Sequence, residues 1–312
     1  MNGEESGECG FSRRAWILGA LAAAAGVLRP ISAMSQDTQL VQRNIPSTDE
    51  RIPAIGLGTW QTFDVSTAGD VRAPLRQVLQ RFVALGGRVI DSSPMYGRSE
   101  EVVGELATEL GIQDQLFVAT KVWTRGRAEG IRQMETSMRQ LRVERLHLMQ
   151  VHNLLDAATH LDTLSAWKRE GRIRYLGVTH YTAGAHDDLE RALREHTLDF
   201  IQVNLSVAER AAERSLLPLA AERGVAVVIN RPFAEGALFR TVRGHALPGW
   251  AAEMDCHSWG QIFLKYILAH PAVTVVIPAT SNPRHLEDNM GAGLGRLPTV
   301  EERERIVRAV VG

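Results

Sequence analysis

The sequence predicts an α/β protein of the (β/α)8 barrel (TIM barrel) class, folded as a single domain and preceded by an N-terminal signal segment. Three observations carry that expectation. From residue 36 onward, short apolar runs alternate with amphipathic ones. The alternation repeats eight times, which suits either a closed barrel or a doubly wound sheet. Polar residues of complementary chemistry stand at successive strand ends, where a barrel gathers them around one mouth. With 312 residues, 45% of them hydrophobic, the chain has ordinary globular composition, and barrels of about 250 residues form one domain.

In chain order, residues 1–35 read as a twin-arginine-type signal peptide. Arg13-Arg14 precede an apolar run from Trp16 to Leu28, and small residues follow at Ser32, Ala33 and Ser35. A charged start, a short apolar stretch and a small-residue exit are the parts of such a peptide. The run falls short of the ~20 residues a membrane span needs, so no stable span is expected in the mature chain. The partner implied is the twin-arginine export machinery and the destination the periplasm or beyond. An unprocessed signal leaves the protein cytoplasmic or membrane-anchored.

The domain proper is expected over 36–312. Strands are predicted at 54–58, 89–91, 116–120, 146–151, 175–178, 200–203, 226–229 and 273–277. Several are apolar almost throughout and rich in Val and Ile, which is how strands covered on both faces of a parallel sheet read. Helices are predicted between them, at 73–85, 100–110, 130–141, 161–170, 185–196, 213–223, 258–269 and 284–290, with a short terminal one at 301–311. In the first, Leu75, Val78, Leu79, Phe82 and Val83 line one face at i, i+3, i+4 spacing. Gly86-Gly87 stops it, and Gly111, Gly171 and Gly224 stand at three further helix ends. A Rossmann sheet would need G-x-G-x-x-G leading from the first strand into a helix. Here Gln61 replaces the third glycine after Gly56 and Gly58, and Asp64, Ser66 and Gly69 delay any helix.

The charge and cysteine content narrow the function. A net charge of -1 without long basic runs gives no footprint for nucleic acid. Cys9 and Cys256 are too few and too far apart for a disulfide framework. No Cys/His cluster announces a metal, and none is expected.

Asp91, Lys121 and His152 lie at or near the ends of the second, third and fourth strands, about 30 residues apart, or one βα unit. Tyr96 follows on the loop after Asp91. Together they suit reduction of a carbonyl, which leaves an alkoxide in need of a proton. Tyr96 is the expected general acid, with its pKa lowered by the Lys121 ammonium. Asp91 would hold Lys121 by pairing, and His152 would donate to the carbonyl oxygen. His147, near the other end of its strand, reads as structural.

The run Asp91-Ser92-Ser93-Pro94-Met95-Tyr96-Gly97, with Ser99-Glu100 and Gly104 after it, resembles the aldo-keto reductase signature. The likeness extends from about Ile52 to Asn289 and takes in Gly56-Leu57-Gly58-Thr59-Trp60, Thr120-Lys121-Val122 and Gly171-Arg172-Ile173-Arg174-Tyr175. It implies a tetrad of Asp91, Tyr96, Lys121 and His152, no metal, and hydride transfer from NAD(P)H to an aldehyde or ketone. NADP(H) is the preferred cofactor and NAD(H) the possible one. The cofactor residues implied are Thr59, Trp60, Asp91, Thr179, His180, Gln202, Asn230, Pro232, Phe233, Thr280, Ser281, Arg284 and Asn289. Three departures stand out. Thr179-His180 occupies the usual Ser-Asn, Asn230 the place of the aromatic that stacks on nicotinamide, and Ala279 the place of a frequent Lys. Trp60, Phe63 and Trp123 are expected to line the substrate pocket, with little chain after residue 290 to cover it. The alternative to an enzyme is an NADP(H)-binding sensor or regulatory subunit with little turnover.

Overall fold

The computed structural model of the chain describes residues 39–66 and 70–312, and the signal segment expected at 1–35 lies outside them. Eight strands run parallel in chain order: β3 (Leu57–Gly58), β4 (Val89–Asp91), β5 (Phe117–Val122), β6 (Leu146–His152), β7 (Ile173–Thr179), β8 (Phe200–Asn204), β9 (Ala226–Asn230) and β10 (Val275–Val276). Parallel bridges from Ile55 to Val276 and from Gly58 to Ala279 close the sheet into a barrel. Closure needs glycine: a Cβ on Gly56 would stand 2.8 Å from the Val89 carbonyl oxygen, and one on Gly58 2.8 Å from that of Ile277.

The outer layer is made by α1 (Ala73–Ala84), α2 (Ser99–Leu110), α3 (Arg127–Leu141), α4 (Ala157–Arg169), α5 (His186–Glu195), α6 (Leu216–Glu222), α8 (Trp259–Leu268) and α9 (Pro283–Gly291). A short α7 (Ala237–Thr241) interrupts the passage from β9 to α8, and α10 (Val300–Val311) follows, started by a Thr299–Glu302 capping box. The barrel agrees with the sequence expectation, with three local differences. The two closing strands are shorter than expected, because they pair through single bridges. α7 and the 3-10 turn Gly249–Met254 fill a stretch expected to be loop. An antiparallel hairpin, β1 (Gln42–Asn44) and β2 (Arg51–Pro53), was not expected at all. Strands of three residues are too short to show an alternation.

Strand alternation creates two cores. Outward residues such as Ile90, Val118, Met149, Leu176, Ile201 and Val227 meet the helices. Inward residues Val89, Phe117, Leu148, Tyr175, Phe200 and Val275 fill the lower barrel, joined by Ile45 and Ile52 from the hairpin. The hairpin is tied there by polar contacts as well: the Tyr175 hydroxyl donates to Glu50 Oε2 at 2.7 Å, and Arg174 pairs with the same carboxylate at 2.6 Å. Two or four residues further along each strand, the inward positions become polar, since side chains repeat with period two. There the barrel presents Asp91, Lys121, Gln150, Thr179, Gln202 and Asn230 at its C-terminal mouth.

Candidate active site

Asp91 ends β4, and Lys121 lies one residue inside β5, completely buried. An ammonium is costly to bury unless paired. Lys121 Nζ donates to Asp91 Oδ2 at 2.6 Å and to the Ser92 carbonyl at 2.7 Å. Asp91 Oδ1 accepts from Gln150 Nε2 at 3.3 Å. Burial opposes the Lys121 charge, but Asp91 and Tyr96 outweigh it and hold the ammonium above its ordinary pKa.

Tyr96 sits in the turn that joins β4 to α2. Its N–H donates to the Ser93 carbonyl at 3.0 Å, and its carbonyl accepts from Ser99 Oγ at 2.7 Å. Gly97 follows at φ 59°, a left-handed conformation that glycine adopts without strain. Asp64, from the loop after β3, accepts the next N–H, that of Arg98, at 3.0 Å. The Tyr96 ring lies 5.0 Å below the Lys121 ammonium, measured to its centroid. Burial raises the phenol above its ordinary pKa, and Lys121 offsets only part of that rise. The sequence expectation of a lowered pKa therefore does not hold in this structure. The phenol keeps its proton at neutral pH.

His152 ends β6, with its ring 6.0 Å from that of Tyr96 at an interplanar angle of 85°. Its Nδ1 is 3.1 Å from Ser93 Oγ. Burial, then the Lys121 charge, push the imidazole down to about 3, so it is neutral. His147, at the other end of the strand, accepts from the Val118 N–H at 3.1 Å and packs on Phe117.

The expected cofactor residues fall into two groups. Around the mouth, Thr179 Oγ1 donates to Gln202 Oε1 at 2.7 Å, and Asn230 Nδ2 donates to the His180 carbonyl at 3.3 Å. Gln202 Nε2 and Asn230 Oδ1 are left buried without a partner, one donor and one acceptor. A carboxamide complements that pair. His180 Nδ1 accepts from the N–H groups of Tyr181 and Thr182, at 3.0 and 3.3 Å, which puts its proton on Nε2. It thereby offers an N–H donor where the family resemblance implies asparagine. Thr59 is buried, and its hydroxyl reaches the Asp91 carbonyl at 3.0 Å and Ser92 Oγ at 2.9 Å, so it braces the catalytic turn. Pro232 is buried, while Phe233 packs 4.9 Å from Phe239 in an aromatic cluster.

The second group surrounds the start of α9. Asn282 caps that helix by accepting from the Arg284 N–H at 2.9 Å, and Thr280 Oγ1 accepts from the Asn282 N–H at 3.0 Å. Ser281 and Arg284 are exposed, and Asn289 is buried. Of the expected pocket residues, Trp60 and Trp123 are exposed by 42% and 39%. Phe63 is fully buried in the core between barrel and helices, which corrects its assignment to the pocket. Sequence reasoning missed Ser92, Ser93 and Gln150. Gln150 was accessible through strand alternation, two residues before His152. The serine contacts were not, because they depend on how the turn folds back.

A buried lysine–carboxylate pair beside a protonated tyrosine and a neutral histidine, at the C-terminal mouth of a parallel barrel, is an arrangement able to deliver a proton to an oxygen atom. The family model for the Aldo/keto reductase family matches residues 54–306, and the chain belongs to that family of NAD(P)H-dependent reductases. It is 29% identical over 252 residues to a methylglyoxal reductase of Escherichia coli (strain K12), covering 78% of this chain and 86% of the relative. An NADH-specific methylglyoxal reductase of the same organism is 28% identical over 235 residues, covering 66% of this chain and 71% of that one. The crystal structure of an aldo-keto reductase from Klebsiella pneumoniae in complex with NADPH superposes with a TM-score of 0.74 at 25% identity, over 87% of this chain and 96% of that one.

Proposed function

We propose that this protein reduces the carbonyl group of an aldehyde or ketone with NADPH, and that Tyr96 is the general acid. The observation that carries the proposal is the protonated Tyr96 phenol held against the buried Lys121–Asp91 pair and facing neutral His152. A bound nicotinamide supplies the hydride that reaches the carbonyl carbon. His152 donates a hydrogen bond to the carbonyl oxygen and orients it. As negative charge gathers on that oxygen, the Tyr96 O–H bond breaks and the proton moves onto it, giving the alcohol. The tyrosinate left behind is stabilised by the Lys121 ammonium. Asp91 keeps that ammonium in place.

Gln202 and Asn230 suit the nicotinamide carboxamide through their unpartnered donor and acceptor. Thr179 fixes Gln202, and His180 adds an N–H. Arg284, exposed at the start of α9, is the cation for a 2′-phosphate, with Ser281 beside it. A phosphate also suits the free N–H groups of a helix start. The NADPH-bound structural neighbour supports this preference, and the NADH-specific relative indicates that NADH use is compatible with the family. Short oxoaldehydes such as methylglyoxal, the substrate class of two relatives, belong first in a test panel. Trp60 and Trp123 are the walls such a substrate would meet.

The test is NADPH oxidation with an aldehyde and ketone panel, beside cofactor titration. Tight NADPH binding with no turnover across the panel would replace the enzyme by a sensor. Arg284→Ala should weaken NADPH binding more than NADH binding, and equal losses would remove Arg284 from the phosphate site. Export through the twin-arginine route is proposed on Arg13-Arg14 and the apolar run that follows them. Changing both to Lys should leave the tagged protein in the cytoplasm on fractionation, whereas unchanged export would end that proposal.

A further inference from the structure

Ser93 is fully buried and touches both residues that would meet the carbonyl oxygen, Tyr96 through its backbone and His152 through its hydroxyl. Its backbone carbonyl accepts from the Tyr96 N–H at 3.0 Å. Its Oγ accepts from the Met95 N–H at 3.3 Å and is 3.1 Å from His152 Nδ1. Neighbouring Ser92 serves the other half of the site, since its carbonyl accepts from Lys121 Nζ at 2.7 Å.

The proton count along this chain has one complete solution. A backbone N–H can only donate, so Ser93 Oγ is an acceptor toward Met95. The single Ser93 proton then needs an acceptor, and among the described residues His152 Nδ1 is the one in reach. If instead Nδ1 carried a proton and donated it to Oγ, the Ser93 proton would be left buried without a partner, an arrangement proteins avoid. With Nδ1 accepting, a neutral imidazole carries its proton on Nε2. No hydrogen-bond partner of Nε2 is found among the described residues.

We infer that Ser93 is a positioning residue which fixes His152 in the Nε2–H tautomer, so that the imidazole presents an N–H donor to the substrate oxygen. The inference deepens the proposed reductase and rests on it for its catalytic meaning. The tautomer itself is independent of any activity. Ser93 acts through His152 in the way that outer partners of a functional histidine select its tautomer and hold its ring. The strong depression of the His152 pKa agrees with this, because a neutral ring is required for one nitrogen to accept while the other donates.

The test uses the full chain with nitrogen-15-labelled histidine, first without cofactor. In the wild type at pH 7, His152, assigned by its loss in His152→Gln, should show an unprotonated Nδ1 and a protonated Nε2. Ser93→Ala should convert this to a mixture of tautomers, and Ser93→Thr, which keeps the hydroxyl, should restore it. With a good aldehyde, Ser93→Ala should lower kcat/KM about tenfold, the worth of one hydrogen bond at a buried site, while NADPH affinity stays unchanged. A protonated Nδ1 in the wild type overturns the inference. So does a His152 signature unchanged in a folded Ser93→Ala. If no substrate in the panel is turned over, the reductase reading fails, and the nitrogen spectra still decide the role of Ser93.

Discussion

The lower and upper halves of the barrel interior are made by the same strands with the same alternation, yet their chemistry is opposite. Below, Phe117, Tyr175 and Phe200 pack ring against ring with Leu148 among them, and Ile45 and Ile52 of the hairpin close them off. Above, one or two steps along the same strands, Lys121, Gln150, Thr179 and Gln202 are as deeply buried and wholly polar. Burial of apolar area is favourable. Burial of polar groups returns much less, because each bond made replaces one to water and an ion pair must also be stripped of its solvent. The lower half therefore carries stability. The upper half adds little, and among the described residues it keeps three polar atoms without partners, at Gln150, Gln202 and Asn230. Under the proposed function these atoms await a carboxamide and a carbonyl, and a site that receives such groups cannot satisfy itself beforehand.

Substitutions on either side should separate these roles. Tyr96→Phe should cost 10²–10⁴-fold in kcat/KM, the usual contribution of a general acid, with the melting temperature unchanged. Lys121→Met should cost a comparable factor, and the double variant little more, because both disable one proton transfer. Steady-state kinetics on the three variants decides this. Retention of more than half the activity in Tyr96→Phe, far outside that range, sinks the mechanism.

In the lower half, Phe117→Ala should lose about 3–5 kcal/mol of stability by opening a cavity, while the fraction that remains folded turns over normally. Urea unfolding followed by activity per folded molecule checks it. A large fall in activity per folded molecule would show that the halves are coupled.

On the outer side of β5, Glu100 is a buried acid bonded to Thr120 and to Ser137, the latter at 2.9 Å. Burial raises it from 4.5 to about 7. A raised pKa means that its favourable contribution is complete below about pH 4.5 and is lost as pH rises through 7. Glu100→Gln should therefore flatten this part of the stability–pH curve and add up to about 3 kcal/mol at pH 8. Parallel curves for wild type and variant would refute the assignment.

A last pair of substitutions makes the upper half resemble the lower. Asp91→Leu with Lys121→Met should abolish activity and leave stability unchanged or higher by about 1–4 kcal/mol, as when a buried ion pair gives way to apolar side chains. A marked loss of stability would mean that this pair holds the barrel together, and the division of labour would fail.

Much of this was legible in the chain. Apolar strands at regular spacing and amphipathic helices ending at Gly111, Gly171 and Gly224, all left-handed in the structure, specify a parallel barrel because each signal is local. Asp91, Tyr96, Lys121 and His152 could be picked out since side-chain type and spacing of one βα unit are properties of sequence. The hairpin at 42–53 could not, because its value lies in covering the open end of the barrel and not in any pattern of its own.

By itself the sequence determined the order of the strands, their inward and outward faces, and which chemical groups arrive at the mouth. Only the tertiary structure decided their states. Phe63 was removed from the pocket because its loop folds inward onto the core. Tyr96 keeps its proton because burial outweighs the nearby charge of Lys121. Ser93 acquired a partner 59 residues away. The physical reason is common to all three: desolvation and hydrogen-bond geometry depend on what surrounds a group in space, and neighbours in the chain do not specify that.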